Sequence, residues 1–154
     1  MNLMNDIPNA IAALHRGERT VARTTFADLW KRAETAEDPL AKCTIAHYMA
    51  DAQDSVGDEL VWDLRALAAA EELTDERAKA FHESLSVAGF LPSLHLNLAS
   101  VYQRLGRAPQ AKAHLASARA GASALPHTNL GHLTLGAIER LEAELDAEAP
   151  PPND

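Results

Sequence analysis

Three side chains with the chemistry of metal ligands share one face of a predicted helix. His47, Asp51 and Asp54 stand at positions i, i+4 and i+7 of the segment that begins at Pro39. An imidazole and two carboxylates can hold a divalent metal ion. On an acidic protein such a set also arises by chance, and the chain has no HExxH motif. We therefore keep a metal or small-ligand site near these residues as a minor alternative, and we expect no bound cofactor.

No other set of residues forms a recognisable catalytic motif. The seven histidines are scattered along the chain, and His82 and His114 have no nucleophile at a recognisable spacing. The sequence contains no serine elbow, no glycine-rich phosphate loop and no Cys-x-x-Cys pair. We therefore expect a noncatalytic protein.

The single cysteine is predicted to be structural. Cys43 lies in an apolar helical pattern with Leu40, Ala46 and Met49, and one cysteine permits no intramolecular disulfide. A small buried hydrophobe is the commoner role for such a thiol than a reactive site. Trp30 and Trp62, on apolar faces, are likewise predicted to be core residues and not platforms for a ligand.

Composition and charge restrict the class of partner. The chain of 154 residues is rich in Ala, Leu and Glu, which favours helix almost throughout, and it carries a formal charge of −8. Nucleic acid and anionic membranes attract basic surfaces, so we expect neither as the main partner. The first residues lack a basic region followed by an apolar core, and no stretch is long and apolar enough to cross a membrane. We expect a cytoplasmic protein whose partner carries basic residues.

Apolar periodicity, capping residues and turn residues predict a series of helices joined by short turns. Asp6 and Asp38 are predicted N-caps, and Gly17, Gly57 and Gly89 are predicted to end helices. The predicted helices cover residues 8–17, 18–36, 39–56, 58–72, 75–88, 92–105, 109–120 and 128–147.

Residues 92–120 predict two short helices folded back on each other. Pro92 suits a first helical position, Gly106 ends the first helix and Pro109 starts the second. Large and small residues alternate on the second helix, so that two backbones can approach closely. The apolar stripes consist of Leu94, Leu98, Val101 and Leu105 on the first helix, and Ala111, Leu115 and Ala118 on the second.

This segment resembles a tetratricopeptide repeat, whose pattern is Trp-x2-Leu-Gly-x2-Tyr, then Ala-x3-Phe, then Pro. The corresponding residues here are His95, Leu98, Ala99 and Tyr102, then Ala111 and Leu115. The chain departs from the pattern at His95, Ala99 and Leu115, and the nearest proline, Pro126, comes about three places late. His95 and His132 stand where the family has a packing aromatic residue, so we expect each to pack between helices.

Other parts of the chain repeat this spacing. Gly17, Ala22 and Phe26 have the same offsets as Gly106, Ala111 and Leu115, which indicates a degenerate first repeat. Aligning Gly57 on Gly106 places Ala46, Met49 and Ala50 on His95, Leu98 and Ala99. The glycines at 17, 57 and 106 are 40 and then 49 residues apart. Because the family repeat is about 34 residues, residues 75–88 are interpreted as an inserted helix.

The resemblance implies an all-α fold, a right-handed α-solenoid of about eight helices arranged as hairpins, with the last one as a C-terminal cap. Residues 1–148 would form a single domain. The proline-rich residues 149–154 cannot continue a helix and are expected to be a disordered tail.

In this family the first helix of each hairpin usually lines a concave groove that holds a peptide. Helical geometry then selects the groove residues, and Asn97 stands where family members often place an Asn that bonds the peptide backbone. Asp51 and Asp54 would attract Lys or Arg and repel a terminal carboxylate. The alternative, that these are solvated polar positions, stays open. The candidates are His47, Tyr48, Asp51, Asp54, Ser93, Asn97, Ser100, Gln103 and Arg104.

These observations leave three classes of function. The first is a noncatalytic interaction module or scaffold that binds a peptide or a partner's helix in the groove. The second is self-association through the exposed apolar edge of the first or last hairpin, which would give a homodimer. The third is a small-ligand site, which would need a deep enclosed pocket around His47 and Asp54.

Overall fold

The computed structural model describes residues 3–73, 87–122 and 129–148, apart from the side chains at 4, 5, 87–90 and 129–131. Within these ranges there are seven α-helices and no strand, which confirms the predicted all-α class. The predicted helix at 75–88 and the tail at 149–154 fall wholly or almost wholly outside the described residues. The helices are α1 (Leu3–His15), α2 (Arg19–Ala36), α3 (Pro39–Asp51), α4 (Val56–Glu71), α5 (Val87–Arg104), α6 (Ala108–Ala122) and α7 (Asn129–Glu148).

The chain divides into two compact units, residues 1–87 and 88–154. In the first unit α1 packs on α2 and α3, α2 packs on α3, and α3 packs on α4. Ile7, Phe26 and Ile45, from three different helices, are fully buried in it. Trp30 and Trp62 meet edge to face with ring centroids 5.2 Å apart, and the Arg65 guanidinium lies over both rings. The single domain predicted for residues 1–148 stays a prediction.

The second unit has one core shared by α5, α6 and α7. Ala99 and Ala111 are completely buried, and these small side chains let neighbouring helix backbones approach closely. Ile138 and Leu141 contribute the apolar stripe of α7 to the same core. Leu98, Ala99, Ala111 and Leu115 all point inward, as predicted.

The turns after α1 and α5 have the same structure. Gly17 and Gly106 have φ angles of 82° and 73°, in the left-handed region where glycine is favoured. After α5, the N–H of Gly106 bonds to the Gln103 carbonyl and the N–H of Arg107 to the Tyr102 carbonyl, which is the Schellman pattern. The two glycines therefore end their helices as predicted, and Ala22, Phe26, Ala111 and Leu115 after them are all buried.

The predicted boundary between α3 and α4 is wrong. We expected a helix from Pro39 to Val56 that ends at Gly57, but α3 ends at Asp51 and Gly57 lies in the first turn of α4. The hydroxyl of Ser55 accepts a hydrogen bond from the Asp58 N–H at 3.1 Å and so caps α4. Because the helix starts before the glycine, the alignment of Gly57 on Gly106 does not hold.

Two helices begin earlier than their prolines suggested. α1 starts at Leu3 and α5 at Val87, so Pro8 and Pro92 lie inside helices and Gly89 belongs to α5 instead of ending the preceding helix. A proline inside a helix removes one backbone hydrogen bond. Complete burial of the Pro92 ring stabilises α5 against that loss, whereas Pro8 is exposed.

One of the two histidines predicted to pack between helices faces solvent instead. His132, on α7, is exposed, whereas His95 is half-buried between α5 and α6. No helix in the described ranges is long and apolar enough to cross a membrane.

Candidate binding site

The predicted groove residues are divided between the two units. His47, Tyr48 and Asp51 lie on α3, with Asp54 in the turn that follows. The other five candidates lie on α5, and they are Ser93, Asn97, Ser100, Gln103 and Arg104.

A cleft of about 340 Å³ lies between α5 and α7 in the second unit. It brings together three of the predicted residues, Asn97, Ser100 and Gln103. Ser93 and Arg104, also on α5, are not among the described residues that line it. The lining consists of Leu96, Asn97, Ser100 and Gln103 from α5, and Ala137, Arg140, Leu141 and Glu144 from α7.

Helical spacing explains why these side chains meet. Residues three or four apart on a helix lie on one face, so Asn97, Ser100 and Gln103 form a continuous row. Leu98 and Val101 point away from this row and are fully buried in the core. The apolar packing of α5 therefore decides which of its polar residues line the cleft.

The cleft has an apolar base and polar walls. Leu141 is buried in the core of the second unit, and Leu96 packs against that core. Asn97, Ser100 and Gln103 are half-buried, so each can still reach a molecule in the cleft. An apolar base with a few convergent polar groups is the usual composition of a ligand-binding site in proteins.

Gln103 connects the two walls of the cleft. Its side-chain amide donates hydrogen bonds to carboxylate oxygens of Glu144 at 3.1 Å and Glu148 at 3.2 Å. An amide donor is neutral, so these bonds leave both carboxylates negatively charged. Arg140 stands one turn before Glu144 and places a positive charge on the same wall. The α7 wall is therefore suited to polar or charged guests.

The amides of the lining match the hydrogen-bonding groups of a polypeptide backbone. Asn97 and Gln103 carry amides, each of which offers both a donor and an acceptor, the two groups that an extended peptide backbone also presents. None of the residues lining the described cleft is a histidine or a cysteine.

In the first unit, His47 and Tyr48 are packing residues. The His47 ring meets the Tyr48 ring edge to face with centroids 4.9 Å apart, and Tyr48 stacks on Phe26 at 6.4 Å. Burial lowers the pKa of His47, while the Asp51 carboxylate acts in the opposite direction. His47 is therefore held mainly in its neutral form at neutral pH.

Asp54 is in an ion pair within the first unit. Its carboxylate oxygens lie 2.7 Å from the Arg23 and 3.3 Å from the Arg19 guanidinium nitrogens, and hydrogen bonding from Arg23 lowers the pKa of Asp54. It is 72% exposed. Because α3 ends at Asp51, the predicted single helical face of His47, Asp51 and Asp54 is wrong. Within the described ranges, no group of three or more His, Cys, Asp or Glu side chains is arranged to hold a metal ion.

Sequence reasoning missed the α7 half of the cleft. Arg140 and Glu144 lie on α7, the helix that the sequence predicts only as a C-terminal cap. Steps of three or four residues join Ala137 to Arg140 and Leu141, and join both of these to Glu144, so that all four share one helix face, which was the available signal. In comparisons with protein-family models, with curated proteins and with solved structures, no match to this chain was found.

Proposed function

We propose that this protein is a noncatalytic binding module, similar to tetratricopeptide repeat proteins, that holds an extended segment of another polypeptide. The observation that carries the proposal is the α5–α7 cleft, where Asn97, Ser100 and Gln103 line one wall above an apolar base. Peptide-binding grooves combine apolar contacts for affinity with side-chain amides that fix the guest's backbone.

Helix packing within each unit supports this family resemblance. In the first unit α1 contacts α3 as well as α2, so the first helices of successive hairpins are neighbours. The matching Schellman turns at Gly17 and Gly106 support equivalent hairpins in the two units. In such an arrangement α5 and α7 are first helices, the kind that lines the concave side of a solenoid.

The guest we propose carries basic residues. Glu144 and Glu148 keep their negative charges next to the cleft, and the chain as a whole has a formal charge of −8. A Lys or Arg of the guest would form a charge-assisted hydrogen bond with either carboxylate. In the first unit Asp54 already binds two arginines, so we place the basic anchor at Glu144 and Glu148.

Site-specific photo-crosslinking tests this proposal. A photo-reactive amino acid replaces Ser100 in the cleft, and a matched control replaces Ser117, which is exposed on α6. Each variant is illuminated with a pool of random peptides, and the captured peptides are sequenced. The proposal predicts capture of peptides enriched in Lys and Arg at position 100 and little capture at 117. Equal capture at both positions would contradict it.

Self-association is the second candidate, and one observation favours it. Leu133 on α7 is 71% exposed, and an apolar side chain on the last helix of a helical array can pair with a second copy. Light scattering across a range of protein concentrations separates the two functions. A dimer that Leu133→Glu converts to a monomer would support self-association, whereas a monomer at every concentration would exclude it.

A further inference from the structure

Two histidines from neighbouring helices meet inside the second unit. The Nδ1 atoms of His95 on α5 and His114 on α6 are 3.0 Å apart, and their ring centroids are 5.3 Å apart. The Tyr102 ring stacks on His114 with a centroid distance of 5.5 Å and an interplanar angle of 10°. Both histidines are half-buried, so this imidazole pair is ordered by packing and remains within reach of small ions.

The distance between the two nitrogens matches a particular coordination geometry. Imidazole nitrogens bind transition metals at about 2.0–2.1 Å, so two nitrogens 3.0 Å apart would subtend about 94° at a shared ion. Neighbouring ligands of a square-planar or tetragonal ion lie about 90° apart, and this geometry is typical of Cu²⁺ and Ni²⁺. A tetrahedral ion would need a nitrogen–nitrogen distance of roughly 3.4 Å.

We propose that His95 and His114 form a two-imidazole binding site for Cu²⁺ or Ni²⁺, with water in the remaining coordination positions. In the metal-free pair one Nδ1–H points toward the other Nδ1. Metal binding needs both lone pairs, so that ring gives up its Nδ1 proton to solvent and takes one up at Nε2. Both rings then turn about their side-chain bonds to face the ion, and the backbone stays in place.

The packing of α5 on α6 holds the two imidazoles at this distance. A Cβ atom added to Gly121 would lie 3.0 Å from Cγ of Pro92, so the two helices approach as closely there as a glycine allows. At the other end the Schellman turn at Gly106 joins them. The helix packing therefore places both side chains next to each other before the metal arrives, and metal binding requires only rotation of the two rings.

The site lies between α5 and α6, whereas the peptide cleft lies between α5 and α7. Metal binding therefore does not depend on the proposed peptide function, and either can fail without the other.

Calorimetric titration of the untagged full chain with NiCl₂ tests the site, with His95→Gln and His114→Gln as variants. The matched control is His132→Gln, which removes an exposed histidine from α7 of the same unit. Circular dichroism verifies that each variant is folded. Loss of an outer-shell partner alone typically weakens metal binding 10–100-fold, so loss of either imidazole ligand should weaken it at least about tenfold.

The proposal predicts one Ni²⁺ per chain, weaker binding in both site variants and unchanged binding in His132→Gln. If a site variant does not fold, substoichiometric Cu²⁺ is added to the wild-type protein while the histidine ring resonances are recorded. Selective broadening of His95 and His114 relative to His132 supports the site. Equal broadening of all three, or site variants that bind as tightly as the wild type, would overturn it.

Discussion

The side-chain amide of Gln103 in α5 lies 3.1 Å from a carboxylate oxygen of Glu144 in α7. The same nitrogen lies 3.2 Å from Glu148, one turn further along α7. A single neutral donor thus bridges the two helices that form the cleft and faces two negative charges. This contact therefore helps to hold the two walls of the cleft together.

Replacing Gln103 with Glu should destabilise the second unit. The variant loses a donor and places a third negative charge beside Glu144 and Glu148. Because these groups are largely exposed, we expect a loss of about 1 kcal/mol or less in the free energy of unfolding. Urea denaturation followed by circular dichroism measures it, and the loss should shrink in high salt. Gln110→Glu, on the exposed face of α6, is the control, and an equal loss there would contradict this interpretation.

Replacing each of two glycines of the second unit with alanine should change the free energy of unfolding in opposite directions. Gly106 has a φ of 73°, which is strained for any residue with a Cβ, so Gly106→Ala should cost about 1–2 kcal/mol of unfolding free energy. Gly136 lies inside α7 with open space around it, and Gly136→Ala should stabilise by about 0.5–1 kcal/mol. Thermal unfolding of both variants tests the pair. Stabilisation by Gly106→Ala would show that the turn does not have this conformation.

The first unit should lose stability as the pH falls below the ordinary histidine range. Burial lowers the pKa of His47 from 6.5, so below that pH the unfolded state binds more protons than the native state. The contribution of the neutral His47 imidazole to the free energy of unfolding is complete above about pH 6.5 and decreases as the pH falls. Urea midpoints between pH 7.5 and 5.5, followed by fluorescence of Trp30 and Trp62, measure the effect in the first unit.

His47→Gln should make that pH dependence shallower, whereas His15→Gln, at an exposed position on α1, should leave it unchanged. A wild-type protein whose midpoint does not change over this range would contradict the assignment of a buried neutral imidazole.

Cys43 should be unreactive in the native protein. Burial raises the pKa of its thiol from 9.0 to about 11, which lowers the thiolate fraction at pH 8 about 100-fold. An aromatic disulfide reagent should therefore react quickly only after unfolding in urea. Ser117→Cys in a Cys43→Ala background is the exposed control and should react in the native state. Rapid labelling of native Cys43 would contradict its buried position.

Residues with local roles were predictable from the sequence. Gly17 and Gly106 were correctly assigned because a left-handed residue after a helix strongly favours glycine. Asp38 was correctly assigned as an N-cap, since its carboxylate accepts from the Ala41 N–H at 3.3 Å. Gly57 was wrongly assigned because the N-cap hydroxyl of Ser55, two residues earlier, starts α4 before the glycine. A capping hydroxyl can thus outweigh a glycine in setting a helix boundary.

Contacts between helices were less predictable. Asn97, Ser100 and Gln103 were identified because all three belong to one helix and follow its period. Gln103 and Glu144 lie on helices that α6 separates in the sequence, and no local sequence pattern relates the two residues. His95 lies 11 residues before Gly106 and His114 lies 8 residues after it, so hairpin geometry could have placed them on neighbouring turns of the two helices. The individual sequence patterns around each histidine gave no such indication.

The most direct test of the proposed function is to fill the cleft and measure binding. A basic peptide obtained by selection against the wild-type protein is titrated into Ser100→Trp, whose indole would occupy the space between α5 and α7. Ser117→Trp adds the same side chain to the exposed face of α6 and serves as the control. We predict that Ser100→Trp weakens peptide binding at least about tenfold, equivalent to 1.4 kcal/mol, while Ser117→Trp binds as the wild type does. Unchanged affinity in a folded Ser100→Trp protein would contradict the assignment of this cleft as the binding site.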